Sequence, residues 1–362
     1  LLILILMVLV SILRSSWFLY GAGFIITIFI PLFTWHEFIS FRLFPAFTTL
    51  STLLIIFFIF ITTLEMSGAK ERAFIRNTFA RYVPEKVVNA LLAQPEMVTL
   101  GGEERVITVL FSDIANFTTI SESLSPTELV NLLNEYFTEM SDIIMQNGGI
   151  IDKFQGDSIM AEFGVPLPLE DHADRAVATA LQMLDRLAQL REIWKSRYEV
   201  YCRIGINTNN MIVGNMGSKN VLDYTVIGDA VNLASRLEGA NKNYGTYLMI
   251  SEFTHARLTK GRFKTRIVDY IKVKGKTKPV RVYEVYGTQD QENPEDYYIN
   301  YHKGFEAYLD KNFTRASELF NRALSFKPND KAATQMLERI EALKSSSNLD
   351  SSWDGSIALM SK

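Results

Sequence analysis

Three apolar runs open the chain, and after Leu64 the pattern changes to short alternating segments between charged, helix-period ones. Leu1–Leu13 is apolar but shorter than the roughly 20 residues a spanning helix needs, so it reads as the end of a truncated membrane helix. Trp17–Phe33 and Leu43–Leu64 read as two more spanning helices, the last the cleanest. Lys70, Arg72, Arg76 and Arg81 follow the third run, which puts its exit on the inner side. The 34–42 loop then lies outside, Arg14–Ser16 inside, and the chain's start points outward. The expectation is a multi-pass protein of the cell (inner) membrane, in contact with lipid, carrying its soluble part in the cytoplasm. Residues 65–103 are polar and helix-like, broken at Pro84, with Val87, Val88, Leu91 and Leu92 at helical spacing, and read as a connector. Gly101-Gly102 resets the chain.

From there strand and helix periods alternate. Val106–Phe111 is β-rich and ends at Asp113. Pro126 opens a helix to about Met145, with Leu129, Leu132, Leu133, Tyr136 and Phe137 as its apolar face and Gly148-Gly149 beyond its end. Ile150–Phe154 and Ser158–Phe163 read as a hairpin around Gly156-Asp157. A helix over Asp171–Trp194, a strand over Tyr198–Asn207 and a loop-and-strand excursion over Val213–Ile227 follow. Asp229 caps a helix to about Asn241, and segments near Leu248, Phe263–Val273 and Val280–Tyr286 read as strands. The order predicts an α+β domain over 104–288, an antiparallel-type sheet with helices on one face.

Residues 297–344 return to helical periodicity. Gly304, Phe313, Ala316, Phe320, Ala323 and Pro328 stand near the positions of one tetratricopeptide repeat, with Ala332–Leu343 as a covering helix. Such repeats normally need about three copies, so a hairpin packed on the preceding domain is expected. Ser345–Lys362 is serine-rich and reads as a disordered tail. The fold class is therefore multi-domain: transmembrane α-helices, an α+β domain, and a short tetratricopeptide-like helical segment.

Charge and composition narrow the chemistry. The net charge of −3 provides no field for nucleic acid, and none is expected as partner. The single cysteine, Cys202, allows no intrachain disulfide, and no zinc-ligand spacing occurs. Asp113 and Asp157 each follow an apolar strand beside turn residues, which places two carboxylates at a sheet edge. Hard cations bound to phosphate take one or two such carboxylates plus substrate oxygens. A pair of metal ions there would activate an attacking oxygen and stabilise a leaving one. Taken alone, an aspartate after a strand is an ordinary turn former. The third stretch, Asp223 to Glu238, adds Asn232 and Arg236 at i and i+4 on one helix face, suited to a sugar oxygen and to charge building on a transferred phosphate.

Phe111-Ser-Asp-Ile-Ala-Asn-Phe-Thr118, Asp152-Lys-Phe-Gln-Gly-Asp-Ser-Ile-Met-Ala161 and Tyr224-Thr-Val-Ile-Gly-Asp-Ala-Val-Asn-Leu-Ala-Ser-Arg236 resemble the class III adenylate/guanylate cyclases. The resemblance spans about residues 104 to 287. It implies that Asp113 and Asp157, with the Ile114 carbonyl, hold two Mg²⁺ (or Mn²⁺) ions. It implies that Lys153 and Thr225 read the purine, that Asn232 and Arg236 serve the transition state, and that Arg281 contacts phosphate. Lys153 suits the N1 acceptor of adenine and Thr225 its exocyclic amine, so ATP is expected as substrate, with cyclic AMP and pyrophosphate as products. A guanylate cyclase and a catalytically silent dimerisation module are the alternatives. The family's site lies between two chains, so a homodimer with two equivalent sites is implied. The membrane part, Arg81-Tyr-Val-Pro84 and Leu100-Gly-Gly102 resemble bacterial cyclases with an extracytoplasmic CHASE-type sensor, expected upstream of this chain. Asn116 and Asn209 stand where many members carry glycine, and asparagine is the residue that best tolerates left-handed backbone in its place.

Overall fold

A computed structural model describes residues 101–194, 198–218, 221–272, 278–291, 295–345 and 353–358, with Leu32, Trp35, His36, Ile39, Phe57 and Phe58 as isolated helical positions before them. The chain divides into two compact units, Leu1–Val83 and Pro84–Lys362, and all that follows concerns the second.

Among the described residues nine strands form one sheet: β1 (Gly101–Ile114), β2 (Ile150–Gln155), β3 (Ser158–Phe163), β4 (Cys202–Gly217), β5 (Leu222–Ile227), β6 (Leu248–Ser251), β7 (Phe263–Lys272), β8 (Val280–Thr288) and β9 (Ile357–Ala358). Their order is β2-β3-β1-β4-β6-β8-β7-β9, with β5 paired to the far half of β4. The pairings are antiparallel except β4 with β6 and β7 with β9. The helices are α1 (Phe117–Ser123), α2 (Pro126–Gln146), α3 (His172–Ile193), α4 (Asp229–Tyr244), α5 (Glu252–His255), α6 (Glu295–Leu309), α7 (Phe313–Phe326) and α8 (Lys331–Ser345).

Helices cover both faces of the sheet, not one as the sequence suggested. Side chains on β6 show why, since the strand is buried on both sides. Leu248 and Ile250 join the α2/α3 core, while Met249 joins the core formed with α4 and the C-terminal helices. Gly205 on β4 lets α4 lie directly on the sheet: a Cβ there would stand 2.2 Å from the Glu238 backbone nitrogen. At the N-terminus of α2, Ser125 and Glu128 form a reciprocal capping box, with Pro126 in the first turn.

Strand β4 is longer than expected. It starts later, at Cys202, and runs on past its expected end at Asn207 to Gly217, and the polar groups of Asn207 and Thr208 are satisfied inside the fold. Asn207 donates to the Ala230 carbonyl at 2.7 Å and accepts from Ser251 at 2.6 Å; Thr208 lies 2.7 Å from Thr108 and 3.0 Å from Thr254. Asn116 takes the left-handed conformation, φ 58°, whereas Asn209 lies in regular β4. Helix α6 packs on β7, α8 packs on α4, and α7 packs against both α6 and α8, in one core that includes Tyr297, Tyr301, Phe305, Phe320 and Met336. Part of the tail expected to be disordered is ordered: Trp353 packs edge-on against Tyr308 and Phe313, and β9 adds to β7.

The membrane expectation requires correction. Among the described residues no helix is long and apolar enough to cross a membrane. The long helices that are described, α2 and α3, carry charged residues along their length, such as Glu128, Glu135, Glu139 and Asp142 on α2, which a spanning segment of about 20 apolar residues excludes. The transmembrane part of the expected fold class, the multi-pass location and the lipid contact that rested on it are therefore unsupported. The three apolar runs and the 65–100 connector lie almost wholly outside the described residues, and the expected upstream sensor lies outside the chain.

Candidate active site

Two clusters of the sequence-predicted residues form within one chain, and a third pair stands apart. The first lies where β1 ends beside the β2–β3 turn. Register fixes it: Ser112 pairs with Ile159 across β1 and β3, so the next residues, Asp113 and Ser158, face one another. Ser158 Oγ donates to Asp113 Oδ1 at 3.0 Å, and the Ile114 N–H donates to Asp157 Oδ2 at 3.1 Å. The Ile114 contact is thus made by its amide nitrogen. Burial, then hydrogen bonding to and repulsion from Asp113, push the Asp157 carboxyl up to about 7.

Two carboxylates crowded in this way, with no basic side chain in an ion pair to either among the described residues, fit a divalent cation. No group of three His, Cys, Asp or Glu side chains that could hold a metal ion occurs among the described residues. An ion here would take two carboxylates and draw its other ligands from backbone, water or phosphate oxygens, the donor set of Mg²⁺ or Mn²⁺ and not of zinc.

The second cluster gathers Lys153 and Thr225 around Asp152. A register shift in β2 between Ile151 and Lys153 turns the Asp152 side chain inward, where it is fully buried. Thr225 Oγ1 donates to Asp152 Oδ2 at 2.6 Å. Lys153 Nζ lies 2.6 Å from Asp223 Oδ2 and 3.2 Å from Asp152 Oδ1. Partial burial works against the Lys153 charge, but Asp223 and Asp152 outweigh it and hold its ammonium above its usual range. Asp152 and Asp223 escaped the sequence reading. The signal available was their adjacency to Lys153 and Thr225, which a linear pattern does not resolve into contact.

Asn232 and Arg236 share the exposed face of α4, while Leu233, Ala234 and Leu237 bury the opposite face. Both positions lie on the side of α4 opposite the residues that pack on the sheet. Arg281 sits on β8 with its guanidinium 5.9 Å from the Tyr270 ring, two strands beyond β4, and it joins neither cluster.

A profile of the adenylate and guanylate cyclase catalytic domain matches residues 102–287, slightly more than half of the chain. The chain belongs to this family. Adenylate cyclase 1 of Rhizobium meliloti is 37% identical over 224 residues, covering 61% of this chain and 33% of the relative. An adenylate cyclase of Anabaena cylindrica is 35% identical over 236 residues, 61% of this chain and 46% of the relative. The chain thus spans a third to a half of the length of these curated relatives. Among solved structures, a bacterial light-regulated adenylyl cyclase superposes with a TM-score of 0.53 at 27% identity, over 64% of this chain and 65% of that one. The cyclase domain contains both clusters and the α4 pair; helices α6–α8 follow its end, and the match lends no support to the tetratricopeptide comparison.

Proposed function

We propose that this chain is an adenylate cyclase that converts ATP to 3′,5′-cyclic AMP and pyrophosphate. The observation that carries the reading is the pairing of Lys153, a donor, with Thr225, a hydroxyl, against one buried carboxylate, Asp152. A donor beside an acceptor complements the adenine edge, whose N1 accepts and whose 6-amino group donates. Guanine presents the reverse.

The site is assembled from two chains. Within one chain Asp113 and Asp157 stand where β1 ends beside the β2–β3 turn, whereas Asn232 and Arg236 lie on the exposed stripe of α4. A two-fold dimer that brings the α4 stripe of one protomer to the β1 end of its partner completes two equivalent sites. Asp113 and Asp157 would hold the divalent cations, which would supply Lewis-acid charge stabilisation. Asn232 positions the ribose so that its 3′-oxygen stands in line with the α-phosphorus. As that oxygen attacks, its proton leaves to solvent. The bond between the α-phosphorus and the bridging oxygen breaks, and the electron pair departs with pyrophosphate. Arg236, always charged, stabilises the negative charge that grows on the phosphoryl oxygens.

The test mixes two dead variants of the full chain. Asp113→Ala and Asn232→Ala are each inactive alone. Mixed one to one, half of the dimers pair unlike chains and hold one intact site, so about a quarter of wild-type activity returns. Absence of recovery in a mixture shown to exchange subunits would sink the shared site; cyclic GMP from GTP in preference to cyclic AMP from ATP would sink the base assignment.

A further inference from the structure

Behind the Lys153–Asp152–Thr225 cluster lies a carboxyl group that the mechanism above does not use. Glu162 sits on β3, opposite Val109 of β1 and Ile150 of β2, and is fully buried. Neither of its carboxylate oxygens has a hydrogen-bond donor, and Asp152 Oδ1 lacks one as well. Lys153 Nζ stands 3.2 Å from that Asp152 oxygen but out of line for a hydrogen bond, being directed to Asp223. Asp152 has the Lys153 ammonium as counter-charge, whereas Glu162 has no cation in an ion pair among the described residues, and a buried carboxyl without a donor beside a second carboxylate is stable only when it carries a proton. Burial first, then Asp152, raise the Glu162 carboxyl well above its usual range, so Glu162 is the member that carries the proton. The charged and titratable groups around it are Asp152, Lys153, Asp223 and Tyr224.

The consequence falls on Thr225. A hydroxyl has one proton to give and two lone pairs to offer. With Asp152 fixed as an acceptor, the Thr225 proton is committed to Asp152 Oδ2 at 2.6 Å. Only lone pairs then remain toward the purine. We propose that Glu162 is a positioning residue for base selection: it donates to Asp152, holds that carboxylate as an acceptor, and thereby leaves Thr225 able to accept from the adenine amine but unable to donate to guanine O6. This inference rests on the adenine reading above and deepens it.

The test measures affinities of the full-chain dimer for 3′-deoxy-ATP and 3′-deoxy-GTP, which lack the attacking oxygen and so report base selection without turnover. Wild type prefers the adenine nucleotide. Asp152→Leu, which frees the Thr225 proton, lowers the preference roughly tenfold, as expected when one hydrogen-bond match becomes a mismatch. The same substitution in a Thr225→Val background adds no further change, because no hydroxyl remains to be released. Glu162→Leu lowers the preference, and Glu162→Gln, whose amide donates where the neutral acid did, restores it. A separate infrared measurement at pH 7 finds a protonated carboxyl C=O band that Glu162→Gln abolishes. If wild type prefers adenine and Asp152→Leu dimers keep that preference, the relay is refuted while the adenylate reading stands. If wild type prefers guanine, both fall. Loss of preference equal in Thr225 and Thr225→Val backgrounds, or absence of the infrared band, overturns the relay whatever the activity.

Discussion

Arg266 is the most informative residue to perturb outside the site. It lies on β7 and is 1% exposed. Its Nε reaches Glu284 at 2.5 Å, its two terminal nitrogens reach Asp330 at 3.2 and 2.9 Å, and one of them also bonds the Tyr297 hydroxyl. Its guanidinium lies 4.7 Å from the Tyr301 ring. Asp330 precedes α8, and its Oδ1 also accepts from the Ala333 N–H at 2.8 Å, which caps that helix. One carboxylate therefore ties the C-terminal helices to the catalytic sheet and starts the last of them.

Asp330→Ala removes both functions. Breaking one side of a buried ion pair costs about 3–5 kcal/mol, and loss of a cap about 1 kcal/mol. Glu284 stays beside Arg266, which moves the total toward the lower end, about 3–4 kcal/mol. At roughly 2–4 °C per kcal/mol for a unit of this size, the melting temperature falls by about 6–16 °C. Asp330→Asn keeps the cap and loses only the charge, so it falls less. Urea denaturation followed by circular dichroism measures both, with an unchanged slope showing that stability and not compactness has altered. The sign with pH is fixed. Burial raises the Asp330 carboxyl, but the charge and hydrogen bonds of Arg266 outweigh it and the net shift is downward. A depressed folded value means that the unfolded chain binds the proton more readily. The contribution is therefore fully present above about pH 4, the ordinary aspartate value, and is lost as pH falls through the folded value. The gap between wild type and Asp330→Ala is flat from about pH 5 to 8 and narrows only in acid. A gap below about 0.5 kcal/mol at pH 7, or one that widens in acid, would refute the reasoning.

Two further predictions follow from the same geometry. Gly205→Ala puts a methyl group 2.2 Å from the Glu238 nitrogen and 2.3 Å from the Ala234 carbonyl oxygen, so α4 must lift from β4; a loss of stability of about 1–3 kcal/mol is expected, together with loss of activity as Asn232 and Arg236 move with the helix. Mg²⁺ or Mn²⁺ at about 100 times its dissociation constant stabilises wild type by about 2.7 kcal/mol, a gain that excess chelator reverses and that Asp157→Asn largely lacks; equal shifts in both proteins place the ion elsewhere.

Much of the cyclase domain was legible because its signals are local. The Ser125-Pro126 start of α2, the Gly156-Asp157 hairpin and the periodic faces of α2 and α4 depend on neighbours in sequence. Features set by distant contacts were misread. The second helical layer was missed because a strand buried on both faces, such as β6, shows no alternation to say which side a helix takes. The reach of β4 past Asn207 was missed because Thr208 is held by Thr108 and Thr254, neither of them near in sequence. The site residues themselves were named from motifs. Their partition into two clusters and a separate helix stripe required the sheet, and so did the buried acids Asp152 and Glu162 that stand behind Lys153 and Thr225.

The carboxylates of the domain sort by what neutralises them. Asp330, Glu284 and Asp269 are matched to arginines: Arg266 for the first two, and Arg339, with two contacts of 2.6 and 2.9 Å, for Asp269. Each of those pairs joins the C-terminal helices to the sheet or braces that junction, and each carries its compensating charge within the chain. Asp152 is matched to Lys153, and Glu162, with no basic side chain in an ion pair among the described residues, is neutralised by a proton directed to Asp152. Asp113 and Asp157 have neither an arginine nor a lysine in an ion pair among the described residues, and burial, together with the hydrogen bond to and repulsion from Asp113, brings Asp157 up to about 7. A fold that pairs its other buried acids but leaves these two converging stores an electrostatic cost that only a cation from outside relieves. Charge-neutralising Asp157→Asn should therefore stabilise the metal-free domain while abolishing catalysis, an opposition of stability and activity that a purely structural pair of aspartates would not produce.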